Sequence, residues 1–539
     1  MDAENEVAKQ SARDPGPAWA APGAHCVVVL TVGLMLLEWM RQAAPAGACK
    51  ASMDTAVRLV LSRFPQVAVA LLLCAVLVKL LWIKIRILCA QHPSPDETGS
   101  DEARLLSLLR DALKCILGIV AAIAFVSRWK SMPPLASARY MSFGVDQSLN
   151  AVVLLAGMAL SLGMGCLLAM CKDEQVRKIR RTVLGVFVLF LALSSFHQMK
   201  VPLTYNYREA PRSSGLWVNP NLYGVLMAAG VVMAAGLAWS EAGAVGSGKH
   251  SRQISELRMG CCAAGLIVLG AALMKSYSRG AWVAAFSGLI YLGRQALHVR
   301  PPRPTARKTT ASLRAKISIF GLCALASIAV WQCHGGSSPI SHRIFSIGNP
   351  NDFSWRNRIE GWIGAMDMIA DKPYFGCGWN DVQALYENDY SPFRLSDSRA
   401  ILLNEILEMG IILGAPALGL FLLLIYLHLR AAPRSPVDSA PFHPDRSRTT
   451  CAACTVVFFV GFWFDGGLFK MATAAPFWLL LELGAWAVKP ETAGRGHRQV
   501  PAQRPCPSGE LPPNHPDHHP LRLQPPGQEV GIPRIRGPQ

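Results

Sequence analysis

The chain has 539 residues, 51% of them hydrophobic and only 16% charged. Soluble domains carry about 25% charged residues, so a string of soluble domains is excluded, and the apolar residues instead fall in blocks the length of a bilayer crossing. The net charge of +18 comes from 53 Lys and Arg against 35 Asp and Glu; most of the basic residues sit in short loops between apolar blocks, a pattern that sets membrane topology and argues against nucleic acid as a partner.

A crossing helix needs about 20 mainly apolar residues. On that measure the sequence predicts twelve spans, near 25–41, 66–88, 111–128, 149–171, 182–198, 221–240, 258–275, 279–296, 315–333, 402–429, 452–468 and 473–488. The fold class expected is an all-α membrane protein, with residues 25–488 as one polytopic domain. Residues 1–24 read as a cytoplasmic N-terminal segment, since the first apolar block follows a mixed-charge start without a clear cleavage site. Loops rich in Lys and Arg stay cytoplasmic. Lys172, Arg177, Lys178, Arg180 and Arg181 mark one such loop, Arg300, Arg303, Arg307, Lys308 and Arg314 a second, and Arg430, Arg434, Arg446 and Arg448 a third. Twelve spans put all three on one side and both termini in the cytoplasm, although Lys50, Arg58 and Arg63 then fall outside. Most of the fifteen cysteines lie in apolar blocks, where they act as small hydrophobes. The Cys451–Cys454 pair opens an apolar helix without a second ligand pair and reads as packing, not as a metal site. The tail, 489–539, holds twelve prolines and His497, His515, His518 and His519 without apolar periodicity, and is expected to be disordered.

Two outer segments carry chemistry. In 199–220, Asn219 is a plausible N-cap and Pro220 then occupies the first helical position, where its missing N–H costs nothing. Arg212 lies just ahead. A helix N-terminus beside an arginine is an anion site, or a capped helix with an interfacial arginine. In the turn Lys275–Trp282, Ser276 or Ser278 can cap the next span, and Arg279 falls in its first turn. A cation there opposes the helix dipole; a bound anion would offset it. The predicted topology puts Arg212 and Arg279 on the same face, which suggests a phosphate or pyrophosphate site.

The second segment, 334–401, is the longest between spans and is expected to be a partly helical periplasmic loop. It contains His342 and Arg343. Trp355, Ile359, Trp362, Met366 and Ile369 recur at spacings of three and four and predict an amphipathic helix lying in the interface plane. Arg356 and Arg358 lie near its start; Pro373, Gly376 and Gly378 end it. Asp352, Asp397, Glu405 and Glu408 are available as a base. Glu408 falls inside an apolar span beside Gly410 and Gly414, where an ionisable group marks either a functional site or a helix–helix hydrogen bond. No Walker A, HExxH, strand-borne GxGxxG or GxSxG motif is present; the chemistry is expected to use something presented at the membrane, and no cofactor is expected.

Arg212…Gly215-Leu-Trp-Val-Asn-Pro-Asn221, Ser278-Arg279-Gly280, Arg358…Trp362…Pro373…Gly376…Gly378 and Glu408…Gly410…Gly414 together resemble the O-antigen ligase/polymerase superfamily of bacterial membrane glycosyltransferases, over about residues 205–430. The resemblance implies a bacterial inner-membrane enzyme that transfers a glycan, with inversion and without metal, from undecaprenyl diphosphate to a hydroxyl of lipid A–core or of another glycan. It implies that Arg212 and Arg279 bind the diphosphate and that Arg358 helps to bind donor or acceptor; Asn219, Asn221, Ser278 and Arg356 are the further substrate-binding candidates. Many ligases carry a His-Asn pair about nine residues before the Glu-x-Gly motif. Here Arg399 and Ala400 stand in its place, and Asp397, Arg399 and His342 are candidates for its role beside Glu408. The alternatives are a polymerase of the same superfamily, a transporter or flippase of lipid-linked glycans, and a non-catalytic assembly protein.

Overall fold

A computed structural model describes residues 20–43, 66–90, 98–128, 141–196, 200–201, 212–217, 219–245, 252–298, 349, 352–379, 382–391, 398–430 and 445–486. The expected span at 315–333 and the tail lie outside these. Among the described residues the helices are α1 (Ala20–Ala43), α2 (Gln66–Ala90), α3 (Thr98–Arg128), α4 (Met141–Met170), α5 (Asp173–Phe196), α6 (Pro220–Val245), α7 (Arg252–Lys275), α8 (Arg279–His298), α9 (Phe353–Asp371), α10 (Val382–Asp389), α11 (Glu405–Leu413), α12 (Ala415–Arg430), α13 (Arg446–Phe464) and α14 (Met471–Ala485). A 3₁₀ turn, Ser398–Leu403, precedes α11. The mainly helical architecture is interrupted by an antiparallel pair of two-residue strands, β1 (Lys200–Val201) and β2 (Arg212–Ser213). Five described helices are long and apolar enough to cross a membrane, Asn150–Met170, Asp173–Phe196, Pro220–Ala242, Glu256–Lys275 and Arg446–Phe464; Ala20–Leu36, Ala415–Arg430 and Met471–Ala485 are shorter and apolar.

The core gathers around α14. Every residue from Ala472 to Ala485 is buried, because α14 packs against α13, α4 and α1. A helix that is apolar all round is an interior helix, and α14 fits that rule. Glycine supplies the close approach to α4: a Cβ at Gly157 would collide with the Trp478 indole. Cys451 and Cys454 are buried in α13, as packing requires.

The expected single span at 402–429 is broken. Gly414, at φ 89°, separates α11 from α12. The loop after α9 fills the break. Cys377 N donates to Ile411 O at 2.8 Å, Gly378 N donates to Ile412 O at 3.0 Å, and Ala415 N donates to Pro373 O at 2.7 Å. Backbone groups orphaned by the break are thus satisfied by the loop, as burial demands. Side chains at Gly376 and Gly414 would strike the carbonyls of Ile411 and Tyr374, and both have positive φ. The Pro373…Gly376…Gly414 pattern therefore builds a helix break and its plug.

At one end of α13 lies a dry ionic network. Lys84 of α2 meets Asp111 of α3 at 2.5 Å; Lys114 of α3 meets Asp111 at 3.2 Å and Glu482 of α14 at 2.5 Å. Ser161 of α4 donates to Glu482 at 3.1 Å, and His428 of α12 stands 3.7 Å from it. Beside this, the C-terminal carbonyls of α14 are held by three arginines. Arg180 Nε donates to Leu483 O at 2.9 Å. Arg448 donates to Gly484 O and Ala485 O, each at 3.1 Å. Arg110 reaches Ala485 O at 3.4 Å. Cations at a helix C-terminus match both its orphan carbonyls and its dipole. Arg180 also pairs with Asp445, the N-cap of α13. Burial alone would raise the Asp445 carboxyl, but the Arg180 guanidinium beside it holds it below its ordinary value.

Candidate functional site

The other end of α13 is where the sequence-predicted arginines meet. The α13 axis is roughly 28 Å long at ~1.5 Å per residue, so this site is far from the dry network.

The first component is the start of α6. Asn219 caps it as expected: its Oδ1 accepts from Asn221 N at 2.8 Å, and Pro220 is the first helical residue. Arg212, on β2, turns toward the α7–α8 turn. Its Nε donates to Ser276 O at 2.8 Å and its Nη2 to Asn221 Oδ1. Gly224 lets α6 pack on that turn, because a Cβ there would lie 2.9 Å from Ser276 Oγ and from Ala281 Cβ. Two segments far apart in sequence are thereby one surface.

The second component is the turn itself. Tyr277 adopts φ 50°, a conformation uncommon for a non-glycine residue. Ser278, not Ser276, is the cap: Ala281 N donates to Ser278 Oγ at 3.2 Å, while Ser276 Oγ accepts from Ser278 N at 3.2 Å. Arg279 is then the first residue of α8, where its charge opposes the dipole. The anion that offsets it is supplied by the chain. Arg279 Nη2 donates to Asp352 Oδ1 at 2.9 Å, and the same oxygen accepts from Trp355 N at 3.2 Å as the N-cap of α9.

The third component is α9. The helix is present as expected, but its buried face is Asn357, Gly361, Gly364, Ala365 and Met368. In the predicted stripe Trp355, Ile359, Trp362 and Ile369 are half-buried and Met366 is 55% exposed. Small residues win the contact because Tyr386 of α10 packs onto Gly364, where any Cβ would strike its ring. The tryptophans instead fix the start of α9 on the end of α13. Trp355 stacks on Phe464 with centroids 6.3 Å apart, and Trp362 meets Trp463 at 6.0 Å. Arg358 Nη2 donates to Asp465 Oδ1 at 2.8 Å, and Arg358 Nη1 donates to Phe464 O. Arg356 is exposed. Beyond α9, Tyr390 donates to Asp371, and this hydrogen bond pushes the phenol up to about 12.

Asp465 joins these components and was missed by the sequence reading. It is 3% exposed. Its Oδ1 takes Arg358 and its Oδ2 takes the Ser278 hydroxyl. A Cβ at Gly280 would lie 2.5 Å from Asp465 Oδ2, so the Ser278-Arg279-Gly280 pattern is shaped to receive this carboxylate. The signal was an acid at the end of a span followed by Gly466-Gly467, a helix stop at the membrane edge. Glu405, at the start of α11, accepts from Phe469 N at 2.8 Å and fixes the turn after Asp465. Glu408 is buried one turn further on. Asp397 and His342 lie outside the described residues; Arg399 lies in the 3₁₀ turn, and its side chain is outside them. Among the described residues no group of three His, Cys, Asp or Glu is placed to hold a metal ion.

The result is a half-open cluster of three guanidinium groups, two carboxylates and three helix N-termini. Such a cluster can take a phosphorylated anion by charge-assisted hydrogen bonds. Residues 264–422 match the family model described as O-antigen ligase. The match supports the O-antigen ligase/polymerase superfamily and a role in membrane glycan transfer. It spans α7 from residue 264 through the first half of α12, including Ser278, Arg279, Arg358 and Glu408. Arg212 and Asp465 lie outside the matched stretch and touch it from both sides in sequence. No curated protein matches the chain.

Proposed function

We propose that the protein is a metal-independent inverting glycosyltransferase of twelve spans in a bacterial inner membrane, acting at the periplasmic face. The donor is a glycan on undecaprenyl diphosphate, and the acceptor is a hydroxyl of lipid A–core or of another glycan. The observation that carries this is the convergence of Arg212, Arg279 and Arg358 at one end of the bundle, beside the N-termini of α6, α8 and α9. Charge develops on the departing diphosphate as the glycosidic bond breaks. Guanidinium groups and helix dipoles aimed at that charge stabilise the transition state more than the ground state. Asn219, Asn221, Ser278 and Asp465 hold the arginines and the turn; Arg356, on the exposed face of α9, reaches the donor glycan or the acceptor. The acceptor proton goes to a base drawn from Glu408, Asp397 or His342, with a carboxylate the better suited at neutral pH, while Arg399, always charged, serves only to stabilise transition-state charge.

Deletion in the native host, complemented with wild type or Arg279→Ala, tests this on surface lipopolysaccharide. For a ligase, long-chain material is lost and free core accumulates, while polymerised undecaprenyl-linked glycan persists; Arg279→Ala fails to restore it. A residual single-repeat band assigns polymerase activity instead. Full complementation by both Arg212→Ala and Arg279→Ala sinks the enzymatic reading.

A further inference from the structure

We propose that Asp352 is an internal competitor for the diphosphate seat, a displaceable counter-ion that sets how tightly the site holds its donor and its leaving group. The inference rests on the reading of Arg279 as a diphosphate ligand. Asp352 Oδ1 sits on Arg279 Nη2 at 2.9 Å while capping α9 through Trp355 N at 3.2 Å. A carboxylate oxygen thus lies between the first residue of α8 and the first turn of α9, where a phosphate oxygen would find the same two donors. The pair is reachable, since the Arg279 and Asp352 side chains keep 15% and 24% of their surface open. An anion that takes the Arg279 Nη2 and Trp355 N donors must displace this carboxylate oxygen, so each such anion is weakened by the same factor. Phospholipid headgroups, which bind weakly and are everywhere around a membrane site, are then held off Arg279. The diphosphate left after transfer is expelled by the returning carboxylate.

Asparagine and serine cap helices about as well as aspartate. Asp352→Asn and Asp352→Ser therefore remove the charge and keep α9 capped. Purified protein in neutral detergent is titrated with farnesyl diphosphate at several salt concentrations. Both variants are expected to bind about threefold to fivefold more tightly than wild type, the size of one partly exposed ion pair. Their affinity should also fall more steeply with salt, because the site gains one net positive charge. A merely structural role would loosen binding or leave it alone, and either result in both variants overturns the proposal. If wild type does not bind farnesyl diphosphate, or Arg279→Ala binds it equally well, the donor reading fails and this inference goes with it. Tight wild-type binding that needs Arg279 but is not improved by either substitution removes the inference alone.

Discussion

At one end of α13, Arg279 and Arg358 keep 15% and 13% of their side-chain surface open, and their partners include the carboxylates of Asp352 and Asp465 and the carbonyl of Phe464. At the other end, Lys84, Lys114, Asp111 and Glu482 are between 0% and 2% open and neutralise one another. The residue types are similar; the accessibility is not. A closed network has used its charge internally, and its role is to fix the packing of the helices it joins. A half-open cluster, whose cations solvent can reach, can exchange an internal partner for a ligand. Openness of the cation, more than the presence of an ionisable residue, separates the two.

The comparison breaks most sharply at Glu482. Glu482→Gln leaves Lys84 and Lys114 with Asp111 as their remaining carboxylate in the network. Removing one partner of a buried ionic group costs about 3–5 kcal/mol. The variant should be scarce in membranes and unfold at markedly lower temperature in detergent. Near-normal abundance would mean that the network is wet or uncharged. Asp465→Asn probes the open end. It keeps the shape but loses the charge shared by Arg358 and Ser278, and misplacement of this kind costs about 10²-fold in rate. Transfer should fall by that order while abundance stays close to wild type. Equal losses of protein for Asp465→Asn and Glu482→Gln would erase the distinction drawn between the two ends.

A smaller effect is expected at Gly414, between the two regions. Alanine there must adopt φ 89° and meet the Tyr374 carbonyl. Strain of this kind costs about 1–3 kcal/mol, and the loop from Pro373 to Gly378 loses its seat. Thermal unfolding should report the loss, and transfer should fall with it, because the same loop ends α9.

The apolar blocks were legible because a crossing needs length and apolarity, which sequence displays directly. Arg212, Arg279 and Asn219 were legible because capping and dipole rules act over a few residues. Ser278 was separable from Ser276 only in three dimensions, since either could cap. The α9 face was misjudged because tryptophans at helical spacing outweigh glycines in any hydrophobic pattern, yet the glycines admit Tyr386. Asp465 and the Lys84–Glu482 network depend on contacts across more than a hundred residues, which periodicity does not encode. Each was nevertheless an ionisable residue at or within an apolar block, the one local signal that could have singled it out.

The smallest effect is at Asp445, on the rim of the closed end. Asp445→Asn keeps the α13 cap, since asparagine is as good an N-cap, and removes the partner of Arg180. The Asp445 carboxyl is held below its ordinary value in the folded protein. Its contribution to stability is therefore complete above the unfolded value of about 4 and is lost as pH falls through the lower folded value. Wild type and Asp445→Asn should differ in thermal midpoint by a constant amount between pH 6 and 8, by roughly a few degrees. The difference should shrink below about pH 4 as the wild-type carboxyl takes up its proton. A gap that persists unchanged into acid would show that Arg180 is held by the carbonyls of Leu483 and Trp486 alone, and the closed end would then owe its cohesion to helix capping more than to paired charge.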